Sequence, residues 1–207
     1  MITPFERVLG GEPSSVSSRS RPRPKTTGSL RSSARPIIIR RAVLPCDLGW
    51  MLLAATQQGV CRIEFADTPA ELDASLRRRF PRADLREADA ALTLWVEHAL
   101  AAVRSPAMAC ELPLDLRSTA FQRQVWKALR DIPPGTTASY SDIAVQIGRP
   151  TAARAVAQAC ASNPVAVVIP CHRVIGAAGD LRGYRWGIER KRKLLDREKL
   201  DPSAPIG

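Results

Sequence analysis

The break at Gly148–Pro150 constrains the fold of this chain more than any other feature of its sequence. Before it, Ile143, Ala144 and Ile147 recur at helical spacing, and Gly148 ends the pattern. After it, Thr151 stands at a helix N-cap position, followed by an Ala-rich run, TAARAVAQACAS. Two short helices joined by so tight a connection are the outline of a helix-turn-helix.

The segment ahead of this pair predicts a further helix and a domain start. Thr119 and Gln122 have capping-box spacing, and the apolar residues that follow them share one helical face until Pro133–Gly135 ends the helix. We therefore predict a helical, winged-helix-like C-terminal domain over 117–200, followed by a short tail, 201–207.

The first half of the chain predicts a small α+β domain over 37–116. Short apolar runs broken by Gly49 and Gly59 favour a β-meander, with a last strand or linker at 113–116. Two helices follow the meander; the first begins with the capping-box spacing of Thr68 and Glu71. Residues 1–36 are rich in Ser, Pro and Arg, which predicts a disordered basic tail.

Charge and cysteine content narrow the class of protein. The net charge is +11, and residues 1–41 carry nine Arg and Lys against two Glu, which favours a polyanionic partner such as DNA. The sequence contains no run of about 20 apolar residues and no signal-peptide pattern, so we expect a cytoplasmic protein with no membrane partner. Five scattered cysteines predict neither a disulfide framework nor a metal site, and we expect no cofactor.

The stretch VVIPCHRVIG predicts a reactive cysteine at the end of a buried strand. Cys171 needs a neighbour to take its proton, because the thiolate is the nucleophile. His172 is next in sequence, but adjacent side chains on a strand point to opposite sides, so a bridging water or a bend is required. Glu198 shares a helical face with apolar residues and would orient the imidazole.

The Ala-rich helix after the break carries one long cation in its middle, Arg154. Small side chains let a helix approach a DNA groove or a packed neighbour closely. From the residues alone, Arg154 is either a DNA-probing side chain or a solvated surface residue.

Four stretches together resemble the O6-alkylguanine-DNA alkyltransferases, most closely the C-terminal part of the bacterial adaptive-response (Ada) protein and its single-domain relatives. The stretches are FQRQVWKALRDIPPGTTASYSDIAVQIGRP, ARAVAQACASNP, IPCHRVIG and GYRWGIERK. The resemblance spans residues 119–198, and it implies a ribonuclease H-like first domain ahead of the helical one.

What the resemblance implies is DNA repair by irreversible transfer of an alkyl group from guanine O6, and also from thymine O4, to Cys171. His172 would act as the base through a water, and Glu198 would orient it. The resemblance also implies roles for Tyr140, which donates to the departing guanine, and for Asn163, which braces the turn. Arg173 would have a structural or a DNA-side role. The remaining implied site residues are Arg154, Thr151 and Ala155 on the DNA side, and Tyr184 and Trp186 in the pocket. The implied partner is double-stranded DNA with alkylated bases, bound by a monomer.

Departures from the family pattern and rival classes sharpen these expectations. No cysteine-rich zinc domain precedes residue 37, so zinc-based sensing is not expected, and the bulky Arg185 and Trp186 at the pocket rim predict poor acceptance of large adducts. A regulator that only binds DNA has no need of Cys171. A Cys-His hydrolase would need an oxyanion hole and repeated turnover.

Overall fold

A four-stranded sheet organises the first half of the chain in the computed structural model, which describes residues 36–106 and 110–200. Its strands are β1 (Ile38–Cys46), β2 (Gly49–Ala55), β3 (Val60–Ala66) and β4 (Asp84–Glu87), in the order β3-β2-β1-β4. The first three strands are antiparallel, as the predicted meander requires, and β4 pairs parallel to β1. The predicted tails lie outside the described residues, apart from Pro36.

Successive side chains of the strands point to opposite faces of the sheet, and both faces are buried. On β2, Leu52 and Ala54 face a small core together with Leu72 and Leu76, whereas Leu53 faces the main core. The small core is covered by the helix α1 (Pro69–Arg79). A strand buried on both sides therefore presents successive residues to different layers.

The helices of the first half begin where side chains cap them. Thr68 accepts a hydrogen bond from the Glu71 N–H, while the Glu71 carboxylate accepts from Asp67 rather than from Thr68, so the predicted box is only half formed. Asp89 caps α2 (Ala90–Arg104). The segment 113–116, predicted as a last strand or a linker, makes a single parallel bridge, between Leu114 and Val60.

The second half is mostly helical. It contains α3 (Ala120–Arg130), β5 (Ala138–Ser139), α4 (Tyr140–Gln146), α5 (Ala153–Ala161), β6 (Val174–Ile175) and α6 (Ile188–Leu200), with β5 and β6 paired in parallel. The capping box at the start of α3 is confirmed: the Thr119 N–H donates to Gln122 Oε1 and the Gln122 N–H to Thr119 Oγ1. The helix-turn-helix outline corresponds to α4 and α5.

The predicted cap on α5 is wrong. The N-cap residue is Ala152, which offers no side-chain hydrogen bond, and Thr151 lies in the turn before it. The Ala152 N–H donates to the Arg149 carbonyl, so the tight connection takes up one residue more than the sequence pattern indicated.

One main core contains residues from both halves of the chain, for example Leu53 and Phe65 of the sheet with Val125 and Leu129 of α3. The molecule is thus a mixed α+β fold with a small sheet and packed helices. The predicted domain boundary near residue 117 stays a prediction. Within the described ranges, no helix is both long and apolar enough to cross a membrane.

Candidate active site and nucleic-acid interface

Cys171 lies on a turn, not at the end of a strand as predicted. Residues 164–170 contain a single β-bridge at Val165 and a turn over 166–168 rather than a strand. Cys171–Arg173 is a single turn of 3₁₀ helix, called the acceptor turn below. The apolar run docks on β3 for one residue only, because the Ile63 N–H donates to the Pro164 carbonyl and the Ala166 N–H to the Ile63 carbonyl. Val167 then adopts φ 68°, which turns the chain away from the sheet.

Asn163 holds the acceptor turn and touches the thiol. Its Nδ2 donates to the Ile169 carbonyl at 2.8 Å and to Cys171 Sγ at 3.2 Å, and its Oδ1 accepts from the Val165 N–H at 3.0 Å. The thiol is buried, at 6% exposure for Cys171. Burial raises the pKa of Cys171 to about 11, against the lowering effects of the Asn163 hydrogen bond and the Lys191 charge. At neutral pH the sulfur is therefore a protonated thiol.

His172 and Glu198 form a fully buried pair, with Nε2 of His172 2.8 Å from Oε1 of Glu198. Burial raises the pKa of the Glu198 carboxyl, but hydrogen bonds and charges from His172 and Arg173 outweigh it and leave the pKa below its usual value. The other oxygen, Oε2, accepts from the Gly135 N–H at 3.0 Å. Gly135, at φ 75°, is the third residue of a Pro133–Thr136 turn whose geometry suits glycine.

The ionised Glu198 carboxylate fixes the tautomer of His172. A carboxylate only accepts hydrogen bonds, so the imidazole Nε2 carries the proton and donates it, and Nδ1 is left with a lone pair. Burial lowers the pKa of His172, despite the raising effect of Glu198, so the ring is neutral at pH 7. Among the described residues, neither Nδ1 nor the Cys171 thiol reaches the other directly, which matches the expected need for a bridging group.

The structure revises the predicted DNA-side role of Arg173. The residue is 6% exposed, and its guanidinium binds Glu198, the Ile132 carbonyl at 2.6 Å and the Pro106 carbonyl at 3.1 Å. A guanidinium committed to three interior partners cannot reach a DNA phosphate. Its contacts agree with the other predicted role, a structural one.

Lys191 is a buried cation that the sequence interpretation missed. It has no exposed surface, and its Nζ donates to the carbonyls of Val174 at 2.5 Å and Arg182 at 3.0 Å. It thereby ties α6 to both ends of the loop that follows the acceptor turn. The signal was its helical register with Ile188, Leu195 and Glu198, which form the inward face of α6.

A groove of about 720 Å³ lies near the buried thiol: Cys171 itself does not line it, but two residues that do, Tyr140 and Tyr184, are near enough to Cys171 for their pKa to be raised not only by burial but also by its charge. Its lining includes Tyr140 of α4, Arg154 and Ala157 of α5, and Tyr184 and Arg185 of the following loop. Burial raises the pKa of Tyr140 to about 12 and that of Tyr184 well above its ordinary value, so both phenols keep their protons.

The exposed side of α5 leads into this groove. Thr151, Arg154 and Ala155 are exposed, whereas Val156 is buried against the core. Trp186 is buried and packs edge-on against Tyr184, with ring centroids 5.1 Å apart. The structure thus brings nine of the eleven predicted residues into one region around the thiol; the exceptions are Thr151 and Ala155, which are exposed and do not line the groove. In the described ranges, no cluster of three or more His, Cys, Asp or Glu side chains could hold a metal ion.

Comparisons with known proteins agree with this geometry. Residues 120–200 match the family model described as 6-O-methylguanine DNA methyltransferase, DNA binding domain. The chain is 45% identical over 173 residues to the bifunctional transcriptional activator/DNA repair enzyme Ada of Escherichia coli, covering 84% of this chain and 49% of Ada. The chain thus spans about half the length of that relative.

Two further relatives are matched over most of their length. The inducible methylated-DNA–protein-cysteine methyltransferase of Bacillus subtilis is 42% identical over 148 residues, which is 71% of this chain and 83% of that protein. The crystal structure of Mycobacterium tuberculosis OGT in complex with DNA superposes with a TM-score of 0.64 at 38% identity, covering 79% of this chain and 94% of that one. This chain belongs to the O6-alkylguanine-DNA alkyltransferase (methylated-DNA–protein-cysteine methyltransferase) family.

Proposed function

We propose that the protein repairs DNA by moving an alkyl group from O6 of guanine, and from O4 of thymine, onto its own Cys171. The observation that carries this proposal is the thiol of Cys171 beside a neutral His172, which is oriented by Glu198, under a groove bordered by α5. A binding module needs no such arrangement, because it performs no proton transfer.

The proposed transfer is a single displacement at the alkyl carbon. A bond forms between Cys171 Sγ and that carbon, while the bond between the carbon and guanine O6 breaks and its electron pair stays on the base. The thiol proton passes through a water to Nδ1 of His172, which Glu198 then stabilises as imidazolium. Tyr140, protonated at neutral pH, supplies a proton or hydrogen bond to the departing guanine.

The substrate must leave the duplex before this chemistry, because guanine O6 is out of reach inside the helical stack. The exposed part of α5 supports this step: its small side chains permit close approach to the minor groove, and Arg154 would occupy the space of the extruded nucleotide. Thr151 and Ala155 are the neighbouring positions that we place against the DNA backbone.

The product is a thioether, which thiol exchange does not reverse. Each protein molecule therefore acts once. We also propose that it acts as a monomer and needs no cofactor. A reducing compartment keeps the acceptor thiol free for this reaction, which favours action in the cytoplasm.

We also infer a finer description of the two halves. The strand order β3-β2-β1-β4, with an antiparallel meander followed by one parallel strand, supports a ribonuclease H-like first half. The α3, α4 and α5 helices with the short β5–β6 pair support a winged-helix-like second half.

Mass spectrometry of the intact protein tests the proposed function. After incubation with duplex DNA containing O6-methylguanine, we expect one added methyl per protein, located on Cys171. Cys171→Ala should gain none, whereas Cys160→Ala, which removes a neighbouring buried thiol, should still gain one. Absence of transfer would favour a binding module, and repeated release of a small product would favour a hydrolase.

A further inference from the structure

We propose that Glu64 on β3 is a positioning residue that anchors Arg185 across the mouth of the groove and so limits the size of the alkyl group that can be transferred. The inference rests on the proposed function. It assigns to the sheet of the first half a part in choosing which lesion reaches Cys171.

The anchor is a buried carboxylate with three partners. Glu64 is 3% exposed; its Oε1 lies 3.1 Å from Arg62 Nη1 and 3.1 Å from Arg185 Nη2, and its Oε2 accepts from Ser75 Oγ at 2.7 Å. Ser75 belongs to α1, so the carboxylate is fixed from the helix side as well. A side chain held by so many contacts keeps one position. Through its ion pair, Glu64 therefore also fixes the position of the Arg185 guanidinium.

Arg185 is the wall between two spaces. It lines the groove beside the thiol, and it also lines a second cavity of about 380 Å³ that reaches Arg62 and Trp126. Its guanidinium is near enough to lower the pKa of Cys171. A displaced Arg185 would therefore open the groove toward the additional volume of this second cavity.

The next residue of each segment strengthens the same link. Phe65, beside Glu64 on β3, meets Trp186 edge-on with ring centroids 6.4 Å apart, and Trp186 meets Tyr184 in the same manner. The Arg185 guanidinium lies 5.9 Å from the centroid of the Trp186 ring. The rim of the groove is thus attached to one strand by an ion pair and an aromatic contact.

Neutralising Glu64 releases this attachment without changing the shape of the side chain much. In Glu64→Gln the Arg185 guanidinium loses its charged partner, and it moves toward solvent or toward a DNA phosphate. Two effects follow: larger alkyl groups enter more easily, and one more cation becomes available to the DNA backbone.

The experiment compares transfer rates from two duplexes that are identical except for O6-methylguanine or O6-benzylguanine. We expect Glu64→Gln to raise the benzyl-to-methyl rate ratio roughly fivefold, as for coupled neighbouring residues. The dependence of DNA affinity on salt should steepen by about one phosphate contact. A loss of stability alone moves neither quantity in this way.

A double-variant cycle shows whether Glu64 acts through Arg185. Arg185→Ala, a change at a partly exposed position, should raise the ratio by itself, and Glu64→Gln should add nothing in that background. Glu71→Gln, an exposed carboxylate in the neighbouring helix, serves as the matched control and should leave the ratio unchanged.

The outcomes separate the two proposals. If the wild-type chain transfers methyl but Arg185→Ala and Glu64→Gln keep the wild-type ratio, the anchor is refuted and the proposed function stands. Equal effects of Glu64→Gln with and without Arg185 would also refute it. If the wild-type chain transfers neither group, the proposed function fails and the anchor fails with it.

Discussion

The acceptor turn and the exposed side of α5 both belong to the proposed site, yet they are built in opposite ways. Around the turn, Asn163, Arg173 and Glu198 are buried and each makes several hydrogen bonds. On α5, Arg154 and Ala155 are exposed and carry no such commitments among the described contacts. Proton transfer demands groups fixed before the substrate arrives, whereas a surface that meets DNA must keep its donors free.

Removing the charge of Glu198 is expected to produce the largest effect, because Glu198 belongs to the buried, hydrogen-bonded groups around the acceptor turn. Glu198→Gln leaves Arg173 buried without its anion, so we expect the free energy of unfolding to fall by about 3 kcal/mol. The imidazole also loses the group that stabilises its protonated form, and the transfer rate should fall roughly a hundredfold. Chemical denaturation and single-turnover kinetics measure the two losses.

The matched control for this change is Glu189→Gln on the same helix. Glu189 is exposed and pairs with Arg192, so its charge should matter little to stability and not at all to transfer. Equal losses in the two variants would contradict the role given to the buried pair.

Arg154→Ala tests the exposed side of α5 and should have the next largest effect. We expect transfer from duplex DNA to fall roughly tenfold or more, since the cost of unstacking a base is no longer offset. Transfer from a free alkylated base should hold steady, because Cys171, His172 and Glu198 are untouched. The free energy of unfolding should shift by no more than about 0.5 kcal/mol, as for other exposed positions.

A parallel variant, Arg77→Ala, removes an exposed arginine of α1 that pairs with Asp73. It changes the net charge by the same amount, so it corrects for the general loss of attraction to DNA. A duplex rate as low as that of Arg154→Ala would show that charge alone accounts for the effect.

The pH dependence of transfer follows from the buried groups at the acceptor turn, His172 and Cys171. Burial lowers the pKa of His172, so the base stays neutral down to a pH below the ordinary value of about 6.5. Under that folded-state pKa the rate should fall about tenfold per pH unit. The contribution of His172 to folding stability should decline at higher pH than the rate does, from about pH 6.5 down to the folded-state pKa, because in that interval the unfolded chain binds the His172 proton more readily.

On the alkaline side the rate should be flat from about pH 7 to 9, since burial raises the pKa of Cys171 to about 11 and the imidazole is already neutral. Rapid-quench kinetics across this range measure the profile. A rate that climbs tenfold per unit between pH 7 and 9 would mean that the thiol must ionise before the encounter, without help from His172.

The same contrast explains which features the sequence made predictable. The α3 capping box and the inward position of Glu198 rest on local spacing, and both are confirmed by the contacts of Thr119 and Glu198. The strand predicted before Cys171 is wrong because its apolar residues bury themselves through turns against β3, and apolar content does not distinguish the two. β4, a short polar segment, has no periodic pattern and forms only by pairing with β1.

The part of the site that could be predicted from the sequence is the part whose residues lie close together in the chain. Cys171, His172 and Asn163 come from one short segment of chain, so their proximity follows from the sequence. Glu64 and Lys191 reach the site from β3 and α6, and only tertiary packing reveals that a strand from the first half pairs with Arg185, which lines the groove.

The smallest expected effect is a difference in stability between variants at the N-termini of two helices, α3 and α5. Thr119 caps α3, so Thr119→Ala should lower the free energy of unfolding by about 1 kcal/mol. Thr151→Ala should lower it by less than about 0.5 kcal/mol, because α5 begins at Ala153 behind an Ala152 that has no side-chain cap. Equilibrium denaturation of both variants measures the difference. Equal losses would mean that Thr151 caps α5 in solution after all, and that the DNA-facing helix is as firmly fixed at its start as the helix behind it.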